Sequence, residues 1–272
     1  MNFNTYVVNL DSQKKRYEVQ ENKLNEVEIV TYANKSQGMF EELVNNKFDV
    51  PIKVLGWGTE WHGFSDKYKG MHKYLENKND NDIVIFLDGF DTKINKNPRD
   101  VLELFNKYNC KVLVSKDPVP FGIFSRMVFG TCKGKTTANS GLYMGYVKYV
   151  KQFIGEAISM KCEDDQTNMN TLCEKFEYIK VDEDEKIFKN FGPMDKDVEI
   201  NTVFVSYPGS PGFDRYIRTI FEYTQFVYMY ILCVLILGLS LFPQYQRILS
   251  TLLIFVLSFY IFFADKSCTT DT

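Results

Sequence analysis

Three observations predict an α/β domain built on a largely parallel sheet and followed by a C-terminal apolar helical hairpin. Short β-branched runs alternate with charged helical stretches from residue 5 to about residue 158, the pattern of strand–helix–strand units. One run, Ile83-Val84-Ile85-Phe86-Leu87, is apolar without a break, which suits a strand covered on both faces. At Pro208-Gly209-Ser210-Pro211-Gly212 the composition changes, and the stretches Phe226–Phe242 and Ile248–Ala264 that follow carry no charged residue.

In chain order, residues 5–10 read as a strand, and Asp11 or Ser12 caps a charged helix that continues through Arg16. Val27–Tyr32 is the second strand. Residues 37–47 suit a helix with Met39, Phe40, Leu43 and Val44 on one face. Ile52–Leu55 runs as a strand into the glycine- and tryptophan-rich loop 56–63, and a basic helix spans 65–78. After the apolar strand, Pro98 opens a helix to about residue 108, at a position where its missing N–H is not needed. Val112–Ser115 is the next strand. Residues 117–136, with Pro118, Pro120, Phe121 and Phe124, form an irregular excursion. A loop and strand at 139–146 precede helices at 147–158 and 166–175. The run Asp182-Glu183-Asp184-Glu185 reads as a solvated turn.

The 272 residues allow one sizeable domain and an appendage. A net charge of −3 gives no electrostatic attraction for nucleic acid. Only His62 and His72 are available, which excludes a histidine-rich metal site. The six cysteines form no C-x-x-C pair and read as reduced thiols in a chain able to bury its own core. Met1 is followed by polar residues with no signal-peptide pattern, so the cytosolic side is the expected one, with the lumenal side open. The two apolar stretches lie at the short end of a membrane span and are separated by Pro243-Gln244-Tyr245-Gln246-Arg247; they read as a hairpin whose partner is a lipid bilayer.

Four clusters carry chemistry. The apolar strand ends in Asp88-Gly89-Phe90-Asp91. If Gly89 turns the chain, the two carboxylates converge at the C-terminal end of a buried strand, where α/β sheets bind ligands. Oxygen-only ligands favour Mg²⁺ or Mn²⁺ over zinc; the other reading is an Asp-Gly turn with both acids solvated. Trp61 can stack on a flat ring and Lys67 can meet a phosphate as a point charge, or the loop is a packed corner. Asp164-Asp165-Gln166 can orient a hydroxyl or act as a base, or cap a helix. Asn139-Ser140-Gly141 can admit a sugar close to the backbone, or form a plain turn.

In this order the clusters resemble the amino-terminal glycosyltransferase domain of the lysyl hydroxylases, the procollagen-lysine glycosyltransferase family. The matching blocks are residues 29–34, 54–63, Lys67, 86–91, 139–141 with Gly145-Tyr146, 164–166 and 187–190. The opening Tyr6-Val7-Val8-Asn9-Leu10-Asp11 is similar to family 25 of the glycosyltransferases. The resemblance implies a GT-A fold, a UDP-sugar donor and Mn²⁺ (or Mg²⁺), with metal on Asp88 and Asp91. It places Thr31 and Asn34 near the uridine, Phe90 where the family has a tyrosine beside the nucleotide, and Trp61, Lys67, Asn139, Ser140 and Gly141 around the donor. Asp164 and Asp165 would face sugar and acceptor. The family's third metal ligand, a histidine in a His-Gly-Asn-Gly block, is missing: Val205-Ser206-Tyr207-Pro208-Gly209 stands there, so Ser206, Tyr207 or water takes the place, or metal affinity is lower.

The expected organisation is therefore a GT-A-like domain at 1–212, a linker at 213–225, two hydrophobic helices within 226–264 and a tail at 265–272. The expected function is membrane-anchored, metal-dependent transfer of a hexose from a UDP-sugar to a hydroxyl acceptor, of the hydroxylysine type or another. The alternative is a membrane-displayed sugar- or nucleotide-binding module without catalysis.

Overall fold

The computed structural model describes residues 27–118, 125–126, 129–160, 162, 164–192, 195, 201–209 and 231–263. The strand expected at 5–10, the helix after it, the linker and the tail lie outside the described residues.

Six strands form the central sheet, β1 (Val27–Tyr32), β2 (Ile52–Leu55), β3 (Ile83–Asp88), β5 (Val112–Lys116), β6 (Ala138–Tyr146) and β7 (Ile179–Val181), in the order β2-β1-β3-β6-β5-β7. The pairs β1–β2, β1–β3 and β5–β7 are parallel, while β6 runs antiparallel to both β3 and β5. The sheet is thus mostly parallel, and β3 is central. All five residues from Ile83 to Leu87 are buried because helices cover both faces. On one face Phe86 stacks on Tyr143 of β6, with centroids 4.9 Å apart, a contact worth about 1 kcal/mol beyond its buried area.

α2 (Ser65–Leu75) buries Tyr68, Met71 and Leu75, a helical stripe at i, i+3 and i+7. The shorter α1 (Phe40–Val44) sits between β1 and β2 in sequence. Pro98–Asp100 forms a 3₁₀ turn that leads into α3 (Val101–Lys107), as the proline predicts. α4 (Val147–Ser159) packs against α2, and α5 (Asp165–Lys175) lies along β6. Asn170 of α5 joins the helix to the start of β6: Ala138 N donates to its Oδ1 at 2.7 Å, and its Nδ2 donates to Ala138 O at 2.9 Å.

A second sheet was not anticipated. β4 (Thr92–Ile94), β8 (Phe188–Asn190) and β9 (Phe204–Ser206) pair in the order β4-β9-β8, bringing Ser206 opposite Thr92. Two further expectations fail. The run at 182–185 is not wholly solvated: the Asp182 carboxylate is buried and accepts the Tyr108 hydroxyl and the main-chain N–H groups of Lys186, Ile187 and Phe188, so it pins the turn into β8. The cysteines are not all reduced thiols: Cys132 and Cys173, 41 residues apart, are joined by a disulfide across a 5.0 Å Cα separation, because the fold lays α5 against the turn at Cys132–Thr136.

At the C-terminal end, helix α6 (Ile231–Leu241) and the apolar segment from Pro243, containing α7 (Gln246–Phe263), meet at a bend of 114°. Among the described residues no single helix is long and apolar enough to cross a membrane; the bent pair passes that test together. Its large apolar side chains are exposed, Val234 at 68%, Ile254 at 64% and Phe255 at 67%.

Candidate active site at the end of the central strand

β3 delivers Asp88 to the rim of the sheet, in register with Tyr32 at the end of β1. Gly89 follows because the turn is crowded: a Cβ there would lie 2.9 Å from both Thr31 Oγ1 and Tyr32 O. Asp88 Oδ1 accepts the Phe90 N–H at 3.1 Å, which tightens the turn. Asp91 comes next, and its Oδ1 accepts hydrogen bonds from Thr92 Oγ1 at 3.2 Å and Ser206 Oγ at 2.9 Å. The Tyr207 N–H donates to Asp91 O at 2.8 Å, so the last residue of β9 and the one after it hold Asp91 at two points.

Lys67 enters from α2. Its ammonium pairs with Asp88 Oδ2 and lies 3.7 Å from Asp165 Oδ2. All three side chains are nearly shut off from solvent, at 12%, 13% and 10% exposure. Burial works against the Lys67 charge, but Asp88, Asp165 and Asp91 outweigh it and hold the ammonium protonated well above the usual lysine range. Burial, reinforced by the Asp88 charge, pushes the Asp91 carboxyl up to about 7. Burial also lifts Asp165 to about 6, with Asp164 and Asp88 adding to the rise and Lys67 and a hydrogen bond from Ser140 opposing it. The result is a pocket of carboxylates with one cation, where like charges crowd and a further positive charge would be welcome.

The two acids of the Asp-Asp-Gln motif divide their work. Asp164 caps α5, its Oδ1 accepting the Thr167 N–H at 2.6 Å, a contact typically worth about 1 kcal/mol. Asp165 turns into the cluster, and its main-chain carbonyl accepts the Tyr68 hydroxyl at 2.8 Å. Gly141 lies against the acidic end: a Cβ on it would stand 3.6 Å from Asp88 Cβ and 3.0 Å from Asn139 Oδ1. Asn139 and Ser140 are buried beside it.

Other expected site residues lie differently. Thr31 is wholly buried and donates its hydroxyl to Leu87 O at 2.7 Å, so it clamps β1 to β3. Phe90 packs with Ala33, Phe40 and Val54. Asn34 donates from Nδ2 to Thr59 O at 3.2 Å, and its carbonyl accepts the Gly58 N–H, shaping the loop 56–63. Trp61 in that loop is 38% exposed and rests its ring near Tyr32 and Phe64, which leaves a face for stacking. Two participants were not singled out from the sequence, Asp117 and Ser125, which lie behind Gln166 in a buried hydrogen-bonded group.

The donor set fits a hard divalent cation: two carboxylates at one strand end and a serine hydroxyl, all oxygen, with a repulsion that a cation relieves. Among the described residues no group of three or more His, Cys, Asp or Glu side chains could hold a metal ion, so a metal here relies on Asp88 and Asp91 and on ligands of other kinds.

Residues 20–206 match the PLOD GT domain family. The chain is 29% identical over 152 residues to human "Procollagen-lysine,2-oxoglutarate 5-dioxygenase 2", covering 51% of this chain and 21% of that protein. It is 25% identical over 198 residues to the Caenorhabditis elegans "Multifunctional procollagen lysine hydroxylase and glycosyltransferase", covering 65% and 27%. With bovine "Procollagen-lysine,2-oxoglutarate 5-dioxygenase 1" it shares 25% over 186 residues, covering 62% and 26%. The matches thus span about a quarter of the length of these relatives.

Proposed function

The chain belongs to the family of PLOD GT domains, and on that premise we propose that it is a glycosyltransferase moving a hexose from a UDP-sugar to a hydroxyl acceptor, of the hydroxylysine type or another. The observation that carries this reading is the meeting of Asp88, Asp91, Lys67 and Asp165 at the end of a buried strand. The fold that the family implies is GT-A-like, and the mostly parallel sheet with its acids at the strand end supports it.

The chemistry assigned to each residue follows from its surroundings. Lys67 offers a fixed positive charge to the diphosphate. Trp61 offers a ring face to the base, and the small residues Ser140 and Gly141 leave room for the sugar. Asp88 and Asp91, with Ser206 alongside, would hold a divalent cation, which would supply charge neutralisation for the diphosphate. In the transfer, the bond from the anomeric carbon to the phosphate oxygen breaks and its electron pair leaves with UDP. The acceptor oxygen bonds to that carbon, and its proton passes to a carboxylate. Asp165, with its carboxyl raised to about 6, is placed to hold the hydroxyl and take the proton near neutral pH. The test is release of UDP from UDP-glucose or UDP-galactose by the full chain with Mn²⁺; no turnover of either sugar, together with UDP binding indifferent to Asp88→Ala and Asp91→Ala, would sink the proposal.

A second reading, a nucleotide- or sugar-binding module without transfer, draws on the lack of a histidine in Val205-Ser206-Tyr207-Pro208-Gly209 and on Asp164 being engaged as a cap. UDP binding with no turnover would favour it.

We also infer that the apolar helices seat the protein on a lipid bilayer, supported by the exposure of Val234, Ile254 and Phe255. Co-flotation with phosphatidylcholine vesicles, lost on deletion of 226–264, tests this. For the side of the bilayer we favour an oxidising compartment over the cytosolic face, because disulfides persist where thiols are not kept reduced. Non-reducing peptide mapping of the native protein tests it, and free thiols at Cys132 and Cys173 would return the cytosolic face.

A further inference from the structure

We propose that Asp117 and Gln166 form a positioning pair that sets where Asp165 stands and ties the segment at Ser125 to the acidic site. Asp117 follows β5 directly, and its main-chain N–H donates to Thr137 O at 2.9 Å. Its side chain sits in a residue only 5% exposed and has donors at both oxygens. Ser125 Oγ donates to Oδ2 at 2.6 Å, and Gln166 Nε2 donates to Oδ1 at 2.9 Å. Gln166 Oε1 accepts in turn from Asn139 Nδ2 at 3.3 Å, and Asn139 Oδ1 accepts the Gly141 N–H at 2.9 Å.

The polarity of this chain of bonds is fixed by chemistry. An ionised carboxylate only accepts, so the Gln166 amide turns its NH₂ to Asp117 and its oxygen to Asn139. Burial raises the Asp117 carboxyl above the ordinary range, and the bonds from Ser125, Gln166 and Asn139 counter that rise. The group then touches the site at two covalent links. Gln166 adjoins Asp165, and Asn139 adjoins Ser140, which hydrogen-bonds Asp165. A shift at Asp117 therefore reaches Asp165 through both α5 and β6. The part of this inference that concerns turnover rests on the transferase reading above; the positional part does not.

Inverting the polarity tests it in the full chain. Gln166→Glu is nearly isosteric but sets a second carboxylate against Asp117. Asp117→Asn alone should be tolerated, because the new amide oxygen can accept from Gln166 while its NH₂ donates to the Ser125 oxygen. In the double variant the NH₂ at 117 donates to the carboxylate at 166, whose other oxygen still accepts from Asn139, while the oxygen at 117 still accepts from Ser125. With UDP-glucose or UDP-galactose and Mn²⁺, Gln166→Glu should lower kcat at least about tenfold with little change in donor KM, and the double variant should return to within about threefold of the parent. A volume effect alone would give no such rescue. Unchanged kcat in Gln166→Glu, or a double variant no better than Gln166→Glu, overturns the pairing. If Gln166→Glu does not fold, a double variant that folds and turns over supports it, and one that also fails to fold overturns it. If the parent turns over neither sugar, the transferase reading falls and amide exchange decides: joint loss of protection around Ser125 and around Asp165 in Gln166→Glu, restored by Asp117→Asn, supports the pair, and unchanged protection overturns it.

Discussion

Ser206 donates its hydroxyl hydrogen to Asp91 Oδ1 at 2.9 Å, although 115 residues separate the two. The second, three-stranded sheet makes this bond by setting Ser206 of β9 opposite Thr92 of β4. The bond lowers the Asp91 carboxyl against the burial and the Asp88 charge that raise it. Ser206→Ala should therefore cost about 1 kcal/mol of stability and weaken Mn²⁺ binding. Ser206→His, which sets an imidazole nitrogen against Asp91, should tighten it. Mn²⁺ titration followed by electron paramagnetic resonance checks both, and equal affinity in all three chains would remove Ser206 from the site.

Lys67 is the only cation seen among Asp88, Asp91 and Asp165 in the described residues. Lys67→Met leaves those carboxylates buried without their partner and should destabilise the chain by about 3–5 kcal/mol. It should also abolish UDP binding, since the point charge is lost. Lys67→Arg should retain most of the stability and lose part of the binding, because the planar head does not fit where an ammonium sits. Urea melts and UDP titrations separate the two effects; full UDP affinity in Lys67→Met would contradict the assignment.

Two adjacent acids should behave differently. Asp164→Ala removes a helix cap and should lower stability by about 1 kcal/mol with transfer largely retained. Asp165→Asn should fold and melt near the parent, and should lose turnover. Loss of turnover in Asp164→Ala with stability intact would reverse the roles.

The raised carboxyls give a pH signature whose sign is fixed. Asp91 sits at about 7 and Asp165 at about 6 in the folded chain, against about 4 for an unfolded aspartate. Between about pH 4 and pH 7 these two groups hold more protons in the folded chain than in the unfolded one, so their contribution to stability falls as pH rises through that window and levels off above it. In chelator, the Tm of the parent should therefore drop across this range more steeply than that of Asp91→Asn. Parallel curves for the two chains would show that Asp91 is not raised.

Much of the site was legible because its members stand in short, ordered blocks. A five-residue apolar run that stops at two acids reads as a buried strand, and it is one. Lys67 and Asp165 were legible for the same reason, and the strand–helix alternation led to the mostly parallel sheet. What stayed hidden depends on contacts between distant segments. Thr31 turns its hydroxyl to Leu87 O and Phe90 packs, partly buried, against Ala33, Phe40 and Val54, and a strand end does not reveal which face is which. Asp117 follows β5 directly and meets Gln166 only after 49 residues of chain. The three-residue strands of the small sheet are too short for any periodicity. Asp182 looked solvated because its neighbours are charged; its burial comes from the turn that its own carboxylate organises. The Cys132–Cys173 bridge has no spacing signature at 41 residues.

In the proposed transfer, UDP binds at the end of β3 through a cation held by Asp88 and Asp91. Calorimetric titration of UDP into the full chain, with Mn²⁺ and then with chelator, measures it directly. The parent should bind UDP with Mn²⁺ and bind far more weakly in chelator, and the Asp88→Ala, Asp91→Ala double variant should show the weak affinity under both conditions. UDP affinity that is the same with and without Mn²⁺, and the same in the double variant, would show that no cation on Asp88 and Asp91 holds the nucleotide.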